Sequence, residues 1–450
     1  MIRFALTLPL LLSLSFCEAD KTPIASDQIS PNGTPYRLIQ MPGNDYAAIL
    51  AAWPNDWAWA EGRNPVAPYI GAQLILAGGA EGYPAGDLVK RFADMDDNGE
   101  LHVYEDHLYG FLAAKKKDWS EAISIANAHL TRPSFDPDLF NRFRTAAEQA
   151  IAELQSQTKH QGLLALEWAV LGDHPLRAFR ALDDPDQFAE LTFDDLRAWH
   201  SATLTAQPEA VIVAGDVTPD QAGATLDALL AGLPNGKSGP REMVLDYRPR
   251  QILLHLPDAT EAQLSFIAPL PASFSGLEDY ILAAALGGSE DSVLIASVRD
   301  GLRASYSFNA GIGLFSDENV FLMMTSALET VRLAETVNVV RDAYADFRDA
   351  GPEGDIMNLV ASYRSAFKRN QNHVLEHGRM ALGFALEGLA TGDEMRLPDL
   401  ADALTMADLR NRLQDHWPKA QDFVILAVSP DADALPGACV ITRAQDAKDC

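Results

Sequence analysis

The chain repeats itself. The segment LTFDDLR at Leu191–Arg197 resembles LTMADLR at Leu404–Arg410, 213 positions on, and the same offset carries Val211-Ile212 onto Val424-Ile425. In each copy a threonine, Thr192 or Thr405, stands where a helix N-cap belongs. A polar stretch follows, then an apolar β-branched run, Val211–Val213 or Val424–Leu426, that reads as a buried strand. A second pair lies in the same order. Tyr69 to Gly79 resembles Tyr280 to Gly288, two apolar helical stretches each stopped by glycine, with a two-residue gap in the shorter copy. Two pairs at nearly one offset mean a duplicated domain. The chain must fold as two similar halves.

The division falls near Pro234-Asn235-Gly236-Lys237-Ser238-Gly239-Pro240, which is rich in helix and strand breakers. Each half mixes strands with amphipathic helices such as Phe140–Gln155 and Val331–Asp349. The fold class is therefore α+β, two duplicated layered α/β domains. The expected organisation is a signal peptide over 1–19, an N-terminal domain over 30–235, a linker over 236–247, a C-terminal domain over 248–432 and a tail over 433–450.

The first residues read as an export signal. Arg3 is followed by an apolar run, Phe4 to Phe16, too short to span a bilayer. Two processing readings stand. Cleavage after Ala19 uses Cys17 and Ala19 as the small residues of the site. In the other, Leu14-Ser15-Phe16-Cys17 is a lipoprotein signal with lipid on Cys17, although Phe16 sits where a small residue is wanted. Either way the chain is expected outside the cytoplasm, periplasmic, and at a membrane only if Cys17 is lipidated. An oxidising compartment permits a disulfide between Cys439 and Cys450, closing the tail; the alternative is two free thiols on a frayed end. With 35 Lys plus Arg against 63 Asp plus Glu, the net charge is −28. That excludes nucleic acid as a partner and is compatible with cationic peptides.

In order and spacing, several motifs resemble the insulinase–pitrilysin family of zinc peptidases, the inverzincins, of the mitochondrial processing peptidase type. They are the strand and turn Val211–Pro219, His174-Pro175, the Pro133-Ser-Phe135 helix entry, the glycine turn Leu286–Ser292, Gln263, and Arg299 with Tyr306 seven residues on. The resemblance covers nearly all of the chain. It implies a helix bearing His-x-x-Glu-His, two zinc ligands on one helical face with a glutamate general base between them. Here that helix reads YIGAQLILAGG from Tyr69. Only Tyr69, Ile70, Ala72, Gln73 or Leu74 fall at the three positions, so no zinc is expected in this chain. Glu148 and Glu153, where a third ligand would come from, have no partners. The resemblance further implies that Arg299 and Tyr306 face the active site of a partner subunit that carries the zinc. Tyr306 would donate to the scissile carbonyl and Arg299 would orient the peptide. The expected function is a non-catalytic subunit of a heteromeric zinc metallopeptidase, binding peptide substrate for its partner.

Two motifs compete. His373-Val-Leu-Glu376-His377 is a literal His-x-x-Glu-His. It would make the chain an active metallopeptidase with zinc on His373 and His377, but it lies deep in the C half and only Glu387 and Glu394 follow closely. The alternative is two solvent-facing histidines on an amphipathic helix. Asp94, Asp96, Asn98, Glu100 and Glu105 fit a calcium loop with Gly99 at the sharp turn; the family resemblance instead makes Gly99–Tyr109 a turn into a strand. A stand-alone peptide-binding scaffold is the third function class.

Overall fold

The computed structural model describes residues 22–450 except 105, 181–183, 237–243, 274–275, 289–291, 306, 317 and 353–355. The signal segment, Cys17 included, lies outside the described residues. Two six-stranded sheets follow one another along the chain. The first holds β1 (Ile24–Ile29), β2 (Pro35–Gln40), β3 (Tyr46–Pro54), β4 (Asn98–Tyr104), β5 (His107–Lys115) and β6 (Ala210–Gly215). The second holds β7 (Gln251–His255), β8 (Ala262–Pro269), β9 (Asn309–Ser316), β10 (Asn319–Leu328), β11 (Val424–Ser429) and β12 (Cys439–Ile441). The orders are β1-β2-β6-β3-β5-β4 and β12-β7-β11-β8-β10-β9. Position by position they are the same sheet, with one exchange. The outer strand beside β2 comes from the N-terminus and runs antiparallel, whereas the one beside β7 comes from the C-terminus and runs parallel. Within the stretch 433–450, Cys439–Ile441 supply that outer strand of the second sheet.

The main helices are α1 (Ala67–Ala77), α2 (Asp87–Met95), α3 (Pro137–Gln155), α4 (Thr158–Leu171), α5 (Phe193–Thr203), α6 (Leu277–Gly287), α7 (Leu333–Ala350), α8 (Val374–Leu386) and α9 (Met406–His416). The repeated threonines do what their positions require. Thr192 and Thr405 each close a capping box, with Asp195 and Asp408 returning the bond, and so start α5 and α9. On one face of the first sheet, Ile49, Ala51, Val211 and Val213 pack with Ile70 and Leu74 of α1 and Trp199 of α5. On one face of the second sheet, Leu264, Phe266, Ile425 and Ala427 pack with Ile281 and Leu282 of α6 and Leu409 of α9.

The opposite faces are covered by exchange. From the N half, α4 lays Leu164, Ala165, Leu166 and Val170 on Ile252, Ile267, Val424 and Val428 of the second sheet. From the C half, α8 lays Val374, Ala381 and Leu382 on Ile39, Ala48, Leu50 and Ile212 of the first. Each helix approaches through a glycine at its fifth residue. A Cβ on Gly378 would stand 2.4 Å from Leu50 Cδ1, and one on Gly162 would stand 2.9 Å from Val428 Cγ2. Helix propensity favours alanine over glycine by about 1 kcal/mol, but overpacking a filled core costs about 1–3 kcal/mol. Leu50 is fully buried and has nowhere to move. Gly378→Ala should therefore lower stability by about 1–2 kcal/mol in chemical denaturation; a stabilised variant would show that α8 does not seat as described.

Candidate functional site

Helix α1 occupies the place where the family resemblance puts the metal. Ile70 and Leu74 are fully buried in the core beneath it, and Ala72 is nearly so. Its outer side presents Tyr69, 42% exposed, which meets Phe188 edge to face at 6.3 Å. Gln73, one turn on, is half-buried. Three of the five candidate residues thus serve the core, and the other two offer a phenol and an amide. Glu148 on the neighbouring α3 is half-buried and Glu153 is exposed. These residues do not fit a zinc ion, which needs nitrogen, thiolate or carboxylate ligands converging on one point. Among the described residues, no group of three or more His, Cys, Asp or Glu is placed to hold any metal.

The second His-x-x-Glu-His belongs to the exchange. His373 is the exposed residue just before α8. His377 is fully buried, its Nδ1 3.2 Å from the Gln371 carbonyl and its Nε2 3.6 Å from buried Glu394. This corrects the picture of two solvent-facing histidines. α8 is held by a sheet from the other half, so its first turn turns inward. Glu376 pairs with Arg379 at 2.9 Å, and Arg379 also grips Glu100 of β4 and lies over Phe111. The would-be general base instead helps fasten α8 to the first sheet.

The described residues of the acidic stretch are divided between the end of α2 and the start of β4. Asp94 lies in the last turn of α2 and pairs with Lys90. Asp96, in the left-handed region at φ 59°, caps α2 and takes bonds from Lys115 and Tyr46, which hold its carboxyl below the usual range. Asn98 and Glu100 lie on β4, and Asn98 donates to Glu100. Gly99 makes no sharp turn. It sits within the strand because Phe92 of α2 crosses there, and a Cβ would stand 2.3 Å from its ring. The hairpin turn comes further on, between β4 and β5. Glu105 lies outside the described residues.

Arg299 sits on a helical turn, Ala296–Leu302, wound wider than an α-helix. Such wide turns are rare and are frequent at functional sites. The turn ends at Arg303 in the left-handed region at φ 56°, its N–H donating to the Val298 carbonyl. The Arg299 side chain is 36% exposed and its Nε donates to Asp300 at 2.9 Å, which lowers the Asp300 pKa. Tyr306 lies outside the described residues. On either side of it, Ser305 and Ser307 are pinned to β10: the Ser305 hydroxyl lies 2.6 Å from the Ala327 carbonyl, and the Ser326 hydroxyl lies 2.6 Å from the Ser307 carbonyl. Gln263 stands on β8 and donates to Glu261. Cys439 and Cys450 are bonded to each other.

Sequence reasoning missed the exchange of helices, although a signal for it was present. Gly162-x-x-Ala165-Leu166 and Gly378-x-x-Ala381-Leu382 are a third repeat pair, 216 positions apart, one in each crossing helix.

Comparison with known proteins fits this architecture. No curated protein matches the sequence. The peptidase M16 inactive domain matches residues 190–361, a stretch that runs from the end of the N half through Arg299. The peptidase M16 inactive domain from Pseudomonas fluorescens superposes with a TM-score of 0.77 at 16% identity, covering 90% of this chain and 98% of that one. A protease from Helicobacter pylori superposes at 0.74 and 13% identity, covering 91% and 100%. The ferredoxin protease FusC, solved as a mutant with Arabidopsis ferredoxin, superposes at 0.72 and 13% identity; the match covers 90% of this chain and 45% of that longer one. The insulinase–pitrilysin likeness read from the motifs therefore holds: the chain has the two-half M16 peptidase fold, and its residues 190–361 match the peptidase M16 inactive domain.

Proposed function

We propose that this protein is the non-catalytic subunit of a heteromeric zinc peptidase, exported from the cytoplasm, which binds peptide and positions it for a partner chain carrying the metal. The observation that carries this reading is α1. In an otherwise complete fold, the helix expected to ligate zinc holds no histidine, cysteine or carboxylate, and its inward positions are filled by core residues. Arg299 is displayed from a surface turn, which suits contact with a carboxylate or peptide carbonyl supplied from outside. Asp300 would have to release it, an exchange that costs little between exposed groups. The complex of FusC with ferredoxin supports protein as the substrate class.

The test combines this chain with a family member that retains His-x-x-Glu-His and measures peptide turnover. Tyr306→Phe should lower kcat by roughly a hundredfold if it donates to the developing oxyanion. Arg299→Ala should weaken kcat/KM by about tenfold or more, the worth of a charge-assisted hydrogen bond. Turnover by the partner alone that equals turnover by the pair would end the proposal.

A further inference from the structure

The C-terminal residues return to the N half. After β12, a 3-10 segment, Ala444–Asp449, packs Ala444 and Ala447 against α4 beside Leu164 and Ala165. Three polar contacts fasten it. Lys448 pairs with Asp173 just beyond α4, both distances 2.8 Å, and stands 5.2 Å above the Trp168 ring. Arg250, at the start of β7, bridges the two pieces: one guanidinium nitrogen lies 2.7 Å from the Ala169 carbonyl and 3.2 Å from the Ala447 carbonyl. The Cys439–Cys450 bond joins the two ends of this segment, from an edge strand of three residues to the last residue of the chain. Cys439 is exposed.

We propose that this disulfide is a redox-released latch, which in its closed state clamps α4, the helix that the N half lends to the second sheet. Without it the segment keeps those polar contacts but only a thin apolar seam. Among the described residues its strand pairs only with β7, and just three of its side chains (Ile441, Ala444 and Ala447) are buried. Closing a loop of this size removes much of the freedom that the open chain would regain. Exposed disulfides are also the ones that thiols reach. The chemistry needs a dithiol reductant. One thiolate attacks the Cys439 sulfur, the S–S bond breaks, and Cys450 leaves as a thiolate that takes up a proton. The second thiol then resolves the mixed disulfide. Two electrons and two protons pass to the protein, and the reductant becomes a disulfide. The latch holds or fails independently of any partner subunit.

Hydrogen exchange on the full chain tests it, comparing the oxidised protein with protein reduced by dithiothreitol and alkylated. Amides of 439–449 should exchange faster by on the order of a hundredfold. The diagnostic change is in α4, whose last turns, from Trp168 to Leu171, should lose protection by about tenfold while the capped start of α5 keeps its own. The double variant Cys439→Ser with Cys450→Ser should reproduce the reduced pattern without reductant. If that variant does not fold, reduction of the folded wild type still decides. Acceleration confined to 439–449, or none anywhere, would overturn the latch.

Discussion

Arg412→Ala should lower folding stability by about 3–5 kcal/mol, the loss expected when one partner of a buried ion pair is removed. Arg412 is 9% exposed and Asp279 3%. The pair is bidentate, Nε to Oδ1 at 2.8 Å and Nη2 to Oδ2 at 2.7 Å, and the Trp417 indole donates to the same carboxylate at 2.8 Å. Arg412 also donates to the Pro271 carbonyl. Removing the guanidinium leaves a buried carboxylate with one neutral donor. Desolvation, not the lost attraction alone, sets the size of the effect. Replacing both partners, Asp279→Leu with Arg412→Leu, should recover most of the loss, because an apolar pair leaves no charge stranded. Urea denaturation of the single and double variants measures it. A single-variant loss under about 1 kcal/mol would mean that water reaches the pair. In the N half the position matching Arg412 is Trp199, fully buried against α1. A Cβ on Gly71 would stand 2.2 Å from that ring. The two halves share their sheet order apart from the outer strand but have different internal keys, so neither core can stand in for the other.

The second large effect concerns the halves themselves. Expressed alone, residues 22–236 should fail to reach a cooperative fold, and so should 244–450. Without α8, the first sheet exposes Ile39, Met41, Leu50 and Ile212, four large side chains that are all nearly or fully buried in the whole chain. At about 1.5–3 kcal/mol each, that is on the order of 6–12 kcal/mol. Whole domains have only about 5–15 kcal/mol of net stability. The second sheet without α4 loses cover from Ile252, Ile267, Val424 and Val428 in the same way. Each fragment should bind a hydrophobic dye and aggregate, and mixing the two should restore a sharp unfolding transition. A sharp transition in either fragment by itself would show that the exchange is decoration on two self-sufficient domains.

Much of this architecture is legible in the order of residues alone. Thr192 and Thr405 can be placed as caps because a capping box is closed within four residues. The buried runs Val211–Val213 and Val424–Leu426 become the central strands β6 and β11 for an equally local reason, since an unbroken β-branched run has no polar face to turn outward. The lost metal site is legible too, because chemistry that needs histidine or carboxylate cannot be supplied by Ile70 or Leu74. The two competing motifs have the opposite character. Gly99 has the spacing of a calcium-loop turn, yet its role is to let Phe92 cross, and nothing near it in sequence says that α2 folds back over β4. Glu376 and His377 have the spacing of a zinc motif, but Glu376 is tied through Arg379 to Glu100, 279 positions from that arginine, and His377 is closed in against buried Glu394.

The division between the two kinds of knowledge follows the range of the forces. Duplication, helix starts, buried strands, the acidic surface and the absence of a zinc helix are properties of neighbouring residues, so the order of amino acids determined them outright. An apolar helical face states that it must be covered, and it does not state by what. That α4 and α8 change sides, that the outer strands come from opposite ends of the chain, and that His377 is sealed inside were decided only when both sheets were present to compete for the same apolar surfaces.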